Sequence, residues 1–178
     1  MIYYHGTNIL IDKMNLEKSR FRTDFGKGFY LTDKIGTAQA WAMNKTEIRG
    51  GIPAVLRYEI NENLFTIKGK RFPNYPTVEW LEFICFNRKI NKDKSNIEPR
   101  HDYNWISGLI ADDDIADVVD DYLANDITIN EAISRARALP QTYQLSLHTN
   151  EAIVYADEES VYYKQFKNGK WTKDWMKV

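Results

Sequence analysis

The sequence predicts an α+β fold, and three observations carry that prediction. β-prone runs lie near both ends, apolar residues at helical spacing fill the middle, and neither a linker nor an internal repeat divides the chain. Its 178 residues, 43% of them hydrophobic, suffice for one compact domain with an ordinary core over residues 1–178.

Ile2-Tyr3-Tyr4-His5 is β-prone and is broken by Gly6, after which a polar segment holding Arg20, Arg22, Asp24, Gly26 and Gly28 reads as a long loop. Phe29-Tyr30-Leu31-Thr32 is the next strand, and Thr37 to Met43 a short helix with the Thr37 hydroxyl as its N-cap. Ala54 to Ile60 and Leu64 to Ile67 flank the polar Asn61-Glu62-Asn63 and are expected to pair as a hairpin. After Pro73 and Pro76, Thr77 caps a helix with Leu81, Ile84, Cys85 and Arg88 on one face. Trp105 to Ile110 reads as a buried strand. Asp112-Asp113-Asp114 then places carboxylates at the favourable N-terminal dipole of a helix carrying Ile115, Val118, Val119 and Tyr122. Thr128 and Glu131 have capping-box spacing before a helix stopped by Pro140. Gln144 to His148, Ala152 to Tyr155 and Glu159 to Phe166 supply the last strands, before a polar tail containing tryptophan.

Composition excludes several functions. With 24 Lys plus Arg against 25 Asp plus Glu, the net charge of −1 gives no general attraction to nucleic acid or anionic lipid, so such a partner requires a local basic patch. A lone Cys85 makes neither an internal disulfide nor a Cys2His2-type zinc site, which favours a reducing compartment. The N-terminus lacks the pattern of a signal peptide, and no run approaches the roughly 18 apolar residues of a membrane span. A cytoplasmic protein with no metal and no membrane partner is expected.

Several segments can carry chemistry, each with a plainer structural explanation beside it. His5-Gly6-Thr7 ends a strand, where the glycine admits a ligand close to its backbone or simply makes a turn. Gly26-Lys27-Gly28 before an aromatic strand suits a flat heterocycle on Tyr30, or again a turn. The acidic run from Asp112 to Asp121 fits a solvated helix face better than a metal site, although Asp112 follows a strand end and can face a cleft. Alternation puts Gln144, Ser146 and His148 on the face opposite Leu145 and Leu147, as on a solvent-facing edge strand. Cys85, Trp41, Trp80 and Trp105 are best explained as core.

Taken in order, Tyr4-His5-Gly6-Thr7, Gly26-Lys27-Gly28-Phe29-Tyr30-Leu31-Thr32 and Gln144-Leu145-Ser146-Leu147-His148-Thr149 resemble the ADP-ribosyltransferase superfamily. The resemblance is to its His-Tyr-Glu branch, which includes diphtheria toxin and the poly-ADP-ribose polymerases. It is strongest to a small bacterial family of that branch with the same HGT and GKGFYLT segments, an AQAWA helix (Ala38 to Ala42) and an ADD segment (Ala111 to Asp113), and it runs from residue 2 to about 155. It implies a split β-sandwich of two antiparallel sheets with flanking helices and a nicotinamide cleft between them. It also implies NAD as substrate, transfer of ADP-ribose to a protein or nucleic acid, and a setting as the toxin of a toxin–antitoxin pair with an antitoxin partner.

By the same resemblance His5, Tyr30 and Gln144 are the catalytic set. His5 hydrogen-bonds the nicotinamide ribose, the Gly6 backbone holds the carboxamide and Tyr30 stacks on nicotinamide, with Thr7, Gly28 and Asp112 completing the cofactor-binding residues. The branch namesake has Glu where this chain has Gln144. An amide orients a hydroxyl but brings no negative charge and cannot act as a general base near neutral pH, so Glu151 or Asp112 is the available stand-in. Two alternatives share the fold: an NAD-binding module with weak or lost catalysis, and an RNA 2′-phosphotransferase-like enzyme using Arg20, Arg22, Lys27 and Arg49 as a phosphate groove.

Overall fold

The computed structural model describes residues 1–20, 23–90, 101–111, 113–156 and 161–178, without the side chains of Lys89, Ile90 and Asp113. Asp112 and Arg22 therefore lie outside the described residues, as does the start of the strand expected from Glu159. The fold is α+β. Strands β1 (Ile2–Thr7), β2 (Phe29–Thr32), β3 (Ala54–Glu59), β4 (Gly69–Arg71), β5 (Trp105–Leu109), β6 (Tyr143–Leu147), β7 (Tyr162–Lys167), β8 (Lys170–Trp171) and β9 (Met176–Lys177) form one mixed, open, hydrogen-bonded path. Its order is β4-β5-β6-β2-β1-β3-β7-β8, with β9 beside β7; β4 and β5 are parallel and the other pairs antiparallel. The helices are α1 (Ile35–Arg49), α2 (Val78–Ile90), α3 (Asp113–Ala124), α4 (Ile129–Ala138) and α5 (Asn150–Ile153).

Local chemistry explains the elements that match expectation. The Trp80 N–H donates to the Thr77 hydroxyl at the start of α2, and the Glu131 N–H donates to Thr128 at the start of α4, each satisfying an amide the helix leaves unpaired. Apolar stripes then seat α2, α3 and α4 on one sheet face, around Phe25, Trp80, Leu81, Ile106, Ile115 and Ala132. The opposite face packs Phe29, Leu31, Leu56, Tyr58, Leu145 and Leu147 under Met14, Leu64 and Ala152.

Four expectations are corrected. First, α1 begins at Ile35 and runs to Arg49, so Thr37 lies inside it rather than capping it; Gly50, at φ 70, supplies the stop. Second, Leu64 to Ile67 is not the second strand of a hairpin. The Asn61 side chain accepts the Asn63 N–H at 2.9 Å and starts a 3-10 turn, Glu62–Thr66, that buries Leu64, while the strand that follows pairs with β5. Third, Ala152 to Tyr155 is not β. The Thr149 hydroxyl accepts the Ala152 N–H at 3.2 Å and caps α5. Fourth, β6 is interior, between β5 and β2, and Gln144 and Ser146 are buried rather than solvent-facing. The tail adds a β7–β8 hairpin through Asn168-Gly169, both at positive φ, the turn chemistry that matches strand twist.

The sheet has one weak seam. β1 pairs with β3 along its whole length and β2 with β6 along all of its own, whereas β1 and β2 share a single pair, Tyr4↔Thr32.

Candidate functional site

That seam organises the site. Met1 accepts the Ile60 N–H, so by the alternation of an antiparallel ladder the even-numbered residues of β1 turn their N–H and C=O groups toward β2. Continuing the Tyr4↔Thr32 register would set Gly6 opposite Tyr30, where the two would exchange backbone hydrogen bonds. Side chains take those places. His5 donates Nδ1–H to the Tyr30 carbonyl at 2.7 Å, and the Lys45 ammonium donates to the Gly6 carbonyl at 2.5 Å. A carbonyl only accepts, which puts the His5 proton on Nδ1 and leaves Nε2 to face Lys45 Nζ at 3.4 Å.

The electrostatics follow from this packing. His5 is buried and stacks on Phe29 at 4.3 Å; burial and the adjacent Lys45 hold its pKa down to about 3, so the ring is neutral. Burial, with Arg20 and Arg49 nearby, lowers Lys45 to about 8. Among the described residues none of these three cations is in an ion pair. The seam therefore concentrates uncompensated positive charge in a chain whose net charge is −1.

Tyr30 borders the same seam with its ring half-buried. Its hydroxyl accepts the Phe25 N–H at 3.0 Å and lies 2.7 Å from the Gly26 carbonyl, which fixes the 23–26 loop. Burial raises its pKa and keeps the phenol protonated. Pairing of Tyr30 with Ser146 and Thr32 with Gln144 sets Tyr30 and Gln144 on one face as diagonal neighbours. Alternation sets the His5 side chain on the other face, with Phe29 and Leu31. The structure thus brings His5, Gly6 and Tyr30 to one seam and Gln144 beside it.

Gln144 does not turn its amide donors toward His5. Nε2 donates to Asp24 Oδ2 at 2.9 Å and to the Leu109 carbonyl at 3.3 Å. Asp24 is itself buried, accepting the Ala111 N–H at 2.9 Å and pairing with Arg88 at 2.8 Å. Glu151 sits exposed in the first turn of α5, past the end of β6.

Gly6 and Gly28 have packing reasons for lacking a side chain. A Cβ on Gly6 would lie 2.0 Å from the Ala38 carbonyl oxygen, so the glycine is where α1 seats on β1. A Cβ on Gly28 would meet the His148 ring at 2.8 Å. That ring lies 2.8 Å from both Ser146 Oγ and the Lys27 carbonyl, and its pKa is lowered to about 3, chiefly by burial. Thr7 is buried and accepts the Ile9 N–H at 3.3 Å. At the same end of the sheet, an open groove of about 540 Å³ runs past His148, Thr149 and the 14–17 loop.

Sequence reasoning missed Lys45 and Asp24. A signal existed for Lys45, because Ala38, Ala42, Lys45 and Arg49 fall on one helical stripe whose alanines are fully buried. None existed for Asp24, whose partners are distant in sequence. Among the described residues no cluster of His, Cys, Asp or Glu suits a metal ion, and no helix is long and apolar enough to cross a membrane.

Residues 1–157 match the family described as Protein of unknown function (DUF3990), and the chain belongs to that family. No curated protein and no solved structure matches it.

Proposed function

We propose that this member of the DUF3990 family is an NAD-dependent mono-ADP-ribosyltransferase with a split-sandwich architecture, acting on a macromolecule. The observation that carries this is the β1–β2 seam. The strands part just past Tyr4↔Thr32, where His5, Gly6 and Tyr30 meet and where Arg20, Lys45 and Arg49 have no ion-pair partner among the described residues. A dinucleotide has matching parts: a planar carboxamide and ring for Gly6 and Tyr30, ribose hydroxyls for neutral imidazole and amide groups, and a pyrophosphate for the cations.

In the reaction the bond between nicotinamide nitrogen and the ribose anomeric carbon breaks and nicotinamide leaves with the electron pair. The acceptor's nucleophile then bonds to that carbon and releases its proton. Hydrogen bonds that fix the ribose while positive charge develops on it are the expected source of rate. In the conformation described, the Gly6 carbonyl is taken by Lys45, so carboxamide binding requires the ammonium to swing away, and the pyrophosphate offers it a partner.

Labelled NAD incubated with cell lysate should transfer label to macromolecules. Transfer should disappear in folded His5→Ala and Tyr30→Ala variants, and transfer unchanged by both would reject the assignment. The occupied Gly6 carbonyl and the uncharged Gln144 favour a second reading, an NAD-binding module without turnover. Calorimetric binding of NAD with no nicotinamide release over hours would select it. The cationic seam also leaves the RNA 2′-phosphotransferase-like alternative to the same assay, with 2′-phosphorylated RNA as the added substrate.

A further inference from the structure

We infer that Asp24 is the positioning residue that dictates Gln rather than Glu at 144, the carboxylate having moved one hydrogen bond back from the ribose-facing position. This rests on the proposed NAD chemistry. The Gln144 amide is held by two acceptors, Asp24 Oδ2 at 2.9 Å and the Leu109 carbonyl at 3.3 Å. Both demand N–H, so the orientation of the amide is fixed and Oε1, with no partner among the described residues, is the atom left to accept a hydroxyl.

Asp24 is in turn held from three directions, by Arg88, the Ala111 N–H and Gln144. A glutamate at 144 would bring a second carboxylate within hydrogen-bond distance of the first in a buried setting, with one guanidinium to neutralise both. The residue change that departs from the namesake is therefore what this neighbour requires. It leaves an acceptor oxygen in place, backed by negative charge one bond away. Neither Glu151 nor the acidic start of α3 is needed to supply that charge.

Reversing the polarity of the pair provides the test. Asp24→Asn and Gln144→Glu are made singly and together, and nicotinamide release and thermal unfolding are measured for each. Each single change should reduce release by about 100-fold, as expected when a positioned group is misdirected, and should lower Tm by at least about 4 °C. In the double variant the two carboxylates no longer face each other, although the Ala111 N–H and the Leu109 carbonyl each lose a partner, so its loss should be at least about tenfold smaller than the product of the two single losses. Losses that simply multiply would overturn the pairing.

If the Asp24 variants do not fold, Gln144→Glu decides alone. Its release should rise as pH falls and the new carboxyl becomes a donor to Asp24, whereas release at the wild-type rate with no such rise would overturn the inference. A wild-type chain that neither binds NAD nor releases nicotinamide would defeat the proposed function instead, and the unfolding measurements would still report whether the two side chains are coupled.

Discussion

Replacing Lys45 by Met removes the ammonium from the seam and should erase a specific piece of pH dependence. In the fold its pKa falls from the usual 10.5 to about 8 because burial and two neighbouring arginines disfavour the charge. Between those limits the unfolded chain holds a proton that the folded chain has lost, so stability rises with pH. The gap corresponds to about 3 kcal/mol, present above pH 10.5 and absent below pH 8. At neutral pH the substitution itself should change stability little. Relief of that cost is offset by loss of the charged hydrogen bond to the Gly6 carbonyl, worth about 1.5–3 kcal/mol. Urea unfolding of both proteins from pH 7 to 10 checks this: the wild type should gain roughly 2–3 kcal/mol relative to Lys45→Met across the interval. Parallel pH curves would refute the placement of a buried, uncompensated ammonium at the seam. Pyrophosphate or NAD bound beside Lys45 should flatten the wild-type rise.

Acid should act through the buried imidazoles. His5 and His148 are held near pKa 3 and His101 is lowered as well, so the unfolded state takes up their protons first as pH drops below about 6.5. Stability should fall by roughly 3 kcal/mol per pH unit between pH 6 and 4, and His148→Gln should make that slope shallower by roughly 1 kcal/mol per pH unit in urea unfolding. Gly6→Ala should lower stability by more than about 3 kcal/mol, because the contacts at 2.0 and 2.9 Å are with α1 backbone that cannot yield; a Tm within 2 °C of wild type would contradict the seating of α1. Arg88→Met strands the buried Asp24 carboxylate and should cost about 3–5 kcal/mol, read as a shifted urea midpoint with unchanged slope.

Much of the fold was legible because its determinants are local. The Thr77 and Thr128 caps, the terminal β-prone runs and the alternation of β6 each declare themselves within a few residues. The errors at Leu64 to Ile67 and Ala152 to Tyr155 are local too. Asn61 and Thr149 are turn and cap formers, and their side chains outbid β-prone composition. Asn168-Gly169 is a hairpin signal within the segment that reads as a polar tail. The site divides differently. Motif order proposes His5, Gly6 and Tyr30, and the fold sets them along one seam, whereas the bond from Gln144 to Asp24 spans 120 positions, and only folding creates it. Lys45 reads as an ordinary helix cation until the Gly6 carbonyl opposite it is seen to have lost its strand partner.

With β1 and β2 joined at one backbone rung, side chains do the rest of the joining, His5 to the Tyr30 carbonyl and Phe29 against His5 and Tyr58. Backbone amides facing the seam from Gly6 and Tyr30 lack a strand partner and should exchange sooner than those of β3 and β6, whose ladders are continuous. A molecule that bonds to those orphan groups would slow their exchange first, a local footprint that hydrogen exchange reads without any assay of turnover.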